Sequence, residues 1–161
     1  MCESDILSSK HKSQPRRRCR VYAYVTSVKG VLILEHPKHP EAGLQIPGGT
    51  VEAGELPEVA VVREVIEETT LQQLSAPVLL GRHTFDMREF DMNEEQDAWF
   101  FQMHSLKPTR DSWLHEERFP SDSPVATPIP FRLYWANLPY EGKPLIAHHG
   151  KYLPNLEVSK R

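Results

Sequence analysis

One segment, GGTVEAGELPEVAVVREVIEETTL at 48–71, constrains the fold more than any other part of the chain. It begins with two glycines, which allow tight backbone turns, and continues into a run with helical periodicity. Pro57 suits the first helical position because its fixed φ angle is helical and its missing N–H is not needed there. The segment therefore predicts a glycine-rich turn and a helix from about Pro57 to Thr69–Leu71.

Three glutamates share one face of this predicted helix. At about 100° per residue, Glu67 and Glu68 lie within about 60° of Glu64 around the helix axis. Like charges at these spacings repel by a few tenths of a kcal/mol, and all three lie near the negative end of the helix dipole. A solvated helix face is one interpretation. The other is a divalent cation such as Mg²⁺, which takes oxygen ligands and would reverse the repulsion.

The apolar residues of the same helix predict which side packs on a sheet. Val59, Val62 and Ile66 fall opposite the glutamates, and Val65 lies between the two faces. We therefore expect this apolar stripe to be buried and the acidic face to point away from the core.

The turn before the helix adds candidate ligands. The glycine pair after Pro47 allows close backbone approach, so that a carbonyl group could join the carboxylates. Glu52 and Glu55 add two carboxylates in the loop that leads into the helix. Arg63 falls beside Glu67, where its guanidinium group could fix the orientation of one carboxylate.

The rest of the chain predicts a mixed α/β or α+β fold. β-Rich runs on either side of Lys29-Gly30 predict a hairpin, and further strands are expected at LQIPGG, APVLLGRHTF, DAWFFQMHS and IPFRLYWANL. An acidic loop, DMREFDMNEEQ, joins two of these strands. The segments SWLHEER and PLIAHHGKYL are predicted to be helices. We expect residues 1–15 to form a flexible leader and 16–161 to form one domain.

Composition limits the class of protein. The chain has 161 residues, 25% of them charged, which fits one globular domain. A net charge of −3 makes nucleic acid an unlikely partner, although PRRRCR at 15–20 is either a solvated strand or a phosphate-binding patch. No apolar run suits a membrane span or a signal peptide, and the two cysteines form no metal-type pair. We therefore expect a cytoplasmic protein.

The spacing of charged residues in the segment resembles a known motif. Gly49, five residues, Glu55, seven residues, then REVIEE at 63–68 and Leu71 resemble the Nudix box. The resemblance implies an α/β/α sandwich around a mixed β-sheet, in a single domain. It also implies Mg²⁺-dependent hydrolysis of a diphosphate linkage in a nucleoside diphosphate derivative, with a small-molecule nucleotide as the substrate.

The resemblance assigns metal ligands by position. Glu64 and Glu68 would be the principal ligands of Mg²⁺ or Mn²⁺. Glu67 would hold a metal directly or through water, and Gly48 would offer its carbonyl group.

It also implies the catalytic groups. Glu67 is the preferred general base, and Arg63 with Glu55 would orient the helix carboxylates. A carboxylate from a later loop is the alternative base, and Glu94 and Glu95 are the candidates outside the box.

The chain departs from the motif at two positions. Thr70 replaces a glycine that suits a left-handed helix end, so the helix is expected to end differently, about one residue later. Leu56 replaces a serine that often caps the helix start, so we expect a weaker start or a cap from Glu55.

Two other functions remain open at this point. One is a nucleotide-binding sensor or regulator with weak catalysis, and the other is a pyrophosphohydrolase that acts on RNA 5′ ends. The resemblance also allows a homodimer. Aromatic and basic residues that could bind a base, ribose or phosphate, but that equally suit the core or the surface, are Phe85, Phe90, Trp99, Phe100, Tyr134, Trp135, Arg82, His83 and Arg88.

Overall fold

The computed structural model describes residues 13–107, 110–117 and 129–157, so most of the predicted leader lies outside the described residues. These residues form one mixed sheet and one α-helix. The elements are β1 Arg16–Ser27, β2 Gly30–Glu35, β3 Gly48–Thr50, α1 Pro57–Thr69, β4 Val78–Asp86, β5 Glu94–His104, β6 Ser112–Glu117 and β7 Ile129–Ala136. Short 3₁₀ turns lie at Pro40–Ala42, Met87–Phe90 and Leu153–Asn155.

β1 organises the sheet, whose strand order is β4-β5-β1-β2-β7-β6. β1 runs parallel to β5 over its length, from the pair Arg16 and Glu94 to the pair Thr26 and His104. Its other edge is shared, because β2 pairs with its last two residues and β3 pairs with residues 20–22. The glycine pair therefore lies within the sheet, opposite Val21 and Tyr22 of β1, instead of closing a strand as LQIPGG had suggested.

α1 covers one face of the sheet. The prediction of its apolar stripe was wrong in part, since Val59 is 57% exposed and Ile66 is also exposed. The buried side of the helix instead includes Val61, Val65 and Glu64, which is only 4% exposed. The helix can turn this acidic side toward the sheet because Gly49 of β3 leaves room there for a carboxylate.

The opposite face of the sheet is covered by the C-terminal segment, residues 138–156. Here the predicted helix at PLIAHHGKYL was wrong, because the segment forms turns and the 3₁₀ turn Leu153–Asn155. Ala147 has a left-handed φ of 47°, which a continuous helix does not allow. Tyr24 fixes the segment instead, since its hydroxyl donates to the His149 carbonyl at 2.5 Å and accepts from the Tyr152 N–H at 3.1 Å. The mixed sheet and the single α-helix confirm the fold class. On the sheet face opposite α1, this irregular segment takes the place of the second helical layer of the expected α/β/α sandwich.

Two further elements differ from the sequence prediction. SWLHEER was predicted to be helical, but it forms strand β6, which pairs with β7 and places Trp113 opposite Leu133. Burial alternates along β6, as expected for a strand with one covered face: Trp113 is half-buried and Leu114 is exposed. β5 begins at Glu94, earlier than DAWFFQMHS had indicated. The hairpin near Lys29 and the start of α1 at Pro57 are confirmed. In the described parts of the chain, no helix is long and apolar enough to cross a membrane.

His149 ties the C-terminal segment to the residues just before β3, the strand that carries the glycine pair. Its Nδ1 accepts a hydrogen bond from the Ile46 N–H at 3.1 Å, and its ring lies 4.7 Å from that of Tyr22. Burial, with a smaller contribution from the charge of Arg20, lowers the pKa of His149 to about 3. The imidazole is therefore neutral at physiological pH, as an acceptor at Nδ1 requires.

This buried imidazole predicts a loss of stability in acid. Its ordinary pKa is 6.5, so below that pH the unfolded chain gains a proton that the folded chain takes up only near pH 3. The stabilisation is complete above about pH 6.5 and is lost as the pH falls toward 3. Urea unfolding at pH 7 and pH 5 should show a smaller loss for His149→Gln than for the parent chain. His39→Gln, which removes an exposed imidazole, should keep the parental loss, and equal losses in all three proteins would contradict this prediction.

Candidate active site

Arg63 connects the turn, the loop and the helix of the candidate site. Its Nη1 donates to Glu64 Oε1 at 2.8 Å, and its Nε and Nη2 donate to the Glu55 carboxylate at 2.9–3.2 Å. Nη2 also donates to the Thr50 carbonyl at 3.0 Å, and Nη1 lies 3.4 Å from Glu67 Oε2. The pKa of Arg63 is raised above its ordinary value, mainly by the hydrogen bonds to Glu55 and to a smaller extent by the hydrogen bond to Glu64. One side chain therefore fixes Glu55 and Glu64 relative to β3 and lies close to Glu67.

Glu55 serves Arg63 and does not cap the helix. The residue at the N-cap position is Leu56, and no side chain makes a capping hydrogen bond there. Pro57 at the first helical position has no N–H, so the helix start has one unpaired donor fewer. The weaker helix start stays a prediction, whereas the alternative of a Glu55 cap was wrong.

Gly49 makes room for the Glu64 carboxylate. A Cβ atom at this glycine would lie 2.0–2.3 Å from the carboxylate carbon and both oxygens of Glu64. Gly49 pairs with Val21, whose side chain faces α1, so the missing side chain leaves a space directly beneath the helix. Burial raises the pKa of Glu64, while the hydrogen bond from Arg63 acts in the opposite direction. The glycine is required here for space.

Glu67 and Glu68 lie one turn further along α1. The Glu67 side chain is 59% exposed and Glu68 is half-buried, so both are closer to solvent than Glu64. Gly48 lies in β3 opposite Tyr22, and a Cβ atom there would lie 2.5 Å from a backbone oxygen of β1. This glycine therefore permits close strand pairing.

The residues fit a hard divalent cation by their chemistry. The Glu64 carboxylate beside Gly49 and the other carboxylates of α1 are the kind of oxygen donor that Mg²⁺ and Mn²⁺ prefer. Among the described residues, however, no three acidic, histidine or cysteine side chains converge on one point. Two of the helix carboxylates instead point toward Arg63. The structure thus supplies the donors and a positioning cation, without a preformed cage.

Thr70 ends the helix in the left-handed conformation that a glycine would favour. Its φ is 63°, and its N–H donates to the Ile66 carbonyl at 3.0 Å. The expectation of a later helix end was therefore wrong, since α1 ends at Thr69. Neighbouring contacts hold this conformation: the Thr69 hydroxyl accepts from the Leu71 N–H at 3.1 Å, and Trp113 Nε1 donates to the Thr69 carbonyl at 3.0 Å.

The two alternative bases lie in β5, not in a loop. Glu94 is buried, pairs with Arg18 at 3.4 Å and accepts from Gln96 Nε2 at 2.6 Å. Glu95 pairs with Arg17 at 3.1 Å. Both carboxylates thus take part in contacts between the paired strands β1 and β5.

The aromatic and basic candidates also lie mostly in structural contacts. Phe100 is fully buried. Arg82 lies 4.4 Å above the Trp99 ring and pairs with Asp97, and Arg88 likewise pairs with Asp86. Further ring contacts or hydrogen bonds occupy Phe85, Phe90, His83, Tyr134 and Trp135.

One residue of the site, Thr50, was not predicted from the sequence. Its carbonyl accepts from Arg63, and its hydroxyl accepts from Arg18 and Arg20. The pattern that could have indicated a polar partner here is the spacing of Arg18 and Arg20 in PRRRCR, because residues two apart lie on the same face of a strand.

The fold and the site together define a class of protein. A glycine-led strand, a loop and an acidic helix, linked by one arginine on a mixed sheet, form a loop–helix unit built around carboxylates. The family model described as NUDIX domain matches residues 16–124. The chain therefore belongs to the Nudix hydrolase family, whose members act on pyrophosphate bonds and generally use divalent metal ions.

Solved structures agree on the fold. A MutT Nudix hydrolase from Burkholderia pseudomallei has a TM-score of 0.61 at 20% identity, over 88% of this chain and 99% of that one. A UDP-X diphosphatase has a TM-score of 0.53 at 16% identity, over 91% and 66%. A putative Nudix hydrolase from Chromobacterium violaceum has a TM-score of 0.50 at 18% identity, over 86% and 74%. No curated protein sequence matches the chain.

The space between Gly49 and α1 predicts the effect of one added methyl group. In Gly49→Ala the new Cβ would occupy the position of the Glu64 carboxylate, so Glu64 must leave its contact with Arg63. We expect a loss of about 1–3 kcal/mol in the free energy of unfolding and at least about a tenfold loss of activity. Gly150→Ala is the control, since its new Cβ would meet atoms only at 3.7 and 4.0 Å. Equal stability and activity in both variants would show that the space is not needed.

The conformation of Thr70 predicts a stabilising substitution. A β-branched residue with a φ of 63° is strained, so Thr70→Gly should raise the free energy of unfolding by about 1 kcal/mol. Thr84→Gly, at an exposed position in β4, should instead lower it by a similar amount. Chemical denaturation of both variants checks the prediction, and a destabilised Thr70→Gly protein would contradict it.

Proposed function

We propose that the chain hydrolyses the diphosphate linkage of a nucleoside diphosphate derivative in a Mg²⁺-dependent reaction. One observation carries the proposal: Arg63 holds the buried Glu64 carboxylate beneath Gly49 and orients Glu55 and Glu67 around it. Burying the Glu64 carboxylate and placing Glu67 and Glu68 on the same helix face is unfavourable unless cations compensate for the charge. Arg63 supplies one such cation, and a divalent ion would supply the other.

The metal would be held by oxygen atoms of α1 and β3. We assign Glu64 and Glu68 as the principal ligands, Glu67 as a ligand directly or through water, and the Gly48 carbonyl as a further donor. When bound, Mg²⁺ or Mn²⁺ offsets the charge of the diphosphate and makes a coordinated water more acidic.

Glu64 and Glu67 have different surroundings, which suits different roles. Glu64 is buried and held by Arg63 at 2.8 Å, so it suits a fixed ligand. The Glu67 side chain is 59% exposed, and its contact with Arg63 is long at 3.4 Å, so it can reach a water molecule. We therefore assign Glu67 as the general base, a role typically worth about 10²- to 10⁴-fold in rate.

Arg63 and Glu55 act as positioning residues. The guanidinium group donates along two edges, to Glu55 on one side and to Glu64 on the other. The paired hydrogen bonds restrict rotation of the Glu55 carboxylate, and a single hydrogen bond holds that of Glu64. Lysine cannot reproduce this geometry, because its ammonium group is a point charge without a planar fork.

The remaining expectations are part of this proposal. We infer a small-molecule nucleotide as the substrate and the cytoplasm as the location, and a homodimer stays a prediction. Glu94 is disfavoured as a base because its carboxylate already accepts from Gln96 and pairs with Arg18.

Substitutions on α1 test the proposal. In a Mg²⁺ assay with a panel of nucleoside diphosphate derivatives, Glu67→Gln and Glu68→Gln should each lower turnover at least about a hundredfold. Each change removes one negative charge and keeps the size of the side chain. Glu58→Gln is the control, since Glu58 is exposed in the first turn of the same helix.

Circular dichroism should show that all three variants stay folded. Full turnover in Glu67→Gln and Glu68→Gln would remove the assignment, as would metal-independent hydrolysis by the parent chain.

A further inference from the structure

The last turn of α1 carries Glu67 and Glu68, and the helix ends directly after it, at Thr69. The last carbonyl groups of a helix have no partner within the helix, so a terminal turn opens easily unless other groups bind them. In a longer helix the Leu71 N–H would donate to the Glu67 carbonyl, but here it donates to the Thr69 hydroxyl at 3.1 Å. The Glu67 carbonyl is therefore open to a donor from outside the helix.

Strand β6 supplies donors to this helix end. Trp113 and His115 are two residues apart, so their side chains lie on the same face of the strand. Trp113 Nε1 donates to the Thr69 carbonyl at 3.0 Å, and His115 Nε2 lies 2.8 Å from the Glu67 carbonyl oxygen. Because a carbonyl oxygen can only accept, the imidazole carries a proton at Nε2 and donates it. Two side chains of one strand thus bind two carbonyl groups at the end of α1.

Packing holds the His115 ring in position for this hydrogen bond. His115 is half-buried and lies opposite Phe131 in the pairing of β6 with β7. The two rings meet edge to face, with centres 5.5 Å apart and planes at 78°. Phe131 is itself buried in the core on the α1 face of the sheet. A donor that is already restricted in this way loses little conformational entropy when it binds the helix.

The hydrogen bond acts on the backbone between two of the proposed functional carboxylates. The Glu67 carbonyl and the Glu68 N–H belong to one planar peptide unit. Holding this unit restricts the two Cα atoms from which both side chains extend. The Glu67 side chain depends on such support, because it is 59% exposed and its contact with Arg63 is long at 3.4 Å.

We propose that His115 is a positioning residue that holds the last turn of α1, and with it Glu67 and Glu68, in the geometry needed for hydrolysis. This inference rests on the proposed function, which assigns the general base and a metal ligand to this turn. His115 acts through the backbone of α1 and not on the substrate. Because a misplacement of about 1 Å can lower a rate about a hundredfold, the loss of this hydrogen bond should be visible in kcat.

Steady-state kinetics with Mg²⁺ and a nucleoside diphosphate derivative test the role of the N–H. His115→Phe keeps a planar ring beside Phe131 and removes the donor, so kcat should fall at least about tenfold while KM changes less than about threefold. His115→Gln keeps an N–H at a similar distance from the backbone and should retain kcat within about threefold of the parent chain.

His36→Phe is the matched control for the change of ring. The His36 ring lies 5.9 Å from the same Phe131 ring, but directly after β2. Its kcat should stay within about twofold of the parental value. If His115→Phe does not fold, His115→Met takes its place, because methionine is about as long as glutamine and has no N–H.

Two kinetic results would overturn the inference. One is a parental kcat in a folded His115→Phe or His115→Met protein. The other is an equal loss of kcat in His115→Phe and His115→Gln, because the ring and not the N–H would then be needed.

Amide hydrogen exchange of the metal-free chain separates this inference from the proposed function. In His115→Phe the amides of Glu67, Glu68 and Thr69 should exchange at least about tenfold faster, while those of β1 and the whole of His115→Gln keep parental rates. If the parent chain turns over no substrate, the proposed function fails, but the exchange rates still decide whether His115 holds the last turn. Parental exchange in a folded His115→Phe protein would overturn the inference.

Discussion

The site depends on the burial of one carboxylate, that of Glu64. It is placed between α1 and the sheet, where a charged group is stable only with a partner. Arg63 is that partner at 2.8 Å, and Gly49 leaves the space that the carboxylate fills. The requirement explains three features together: the glycine in β3, the rotation of α1 and the convergence of Arg63 on Glu55.

The pattern of charged residues indicated which side chains lie together better than it indicated which of them are buried. Spacing placed Arg63 beside Glu67, and the resemblance to the Nudix box paired Arg63 with Glu55, whereas the contact of Arg63 with the buried Glu64 was not predicted. The rotation of α1 was not predicted either, because helical periodicity favoured Val59 and Ile66 as buried residues. That rule treats charges as outward-facing, and it fails where a glycine-lined space and a salt bridge accept a carboxylate.

The fold was predictable where local signals agree and not where tertiary contacts decide. The hairpin at Lys29 and the proline-led start of α1 carry turn and helix signals that need no partner. SWLHEER has no such signal, and its pairing with β7 makes it a strand. The segment around His149 has helical spacing, but Tyr24 and Ile46 bind it through hydrogen bonds that a helix would not offer.

The central claim is that the carboxylates of α1 hold a divalent ion that in turn binds a diphosphate. Electron paramagnetic resonance of Mn²⁺, titrated into the full chain with a non-hydrolysable nucleoside diphosphate analogue, tests it most directly. The account predicts that the analogue tightens Mn²⁺ binding and that Glu64→Gln weakens it at least about tenfold. Equal Mn²⁺ affinity in the parent chain and in a folded Glu64→Gln protein would contradict it.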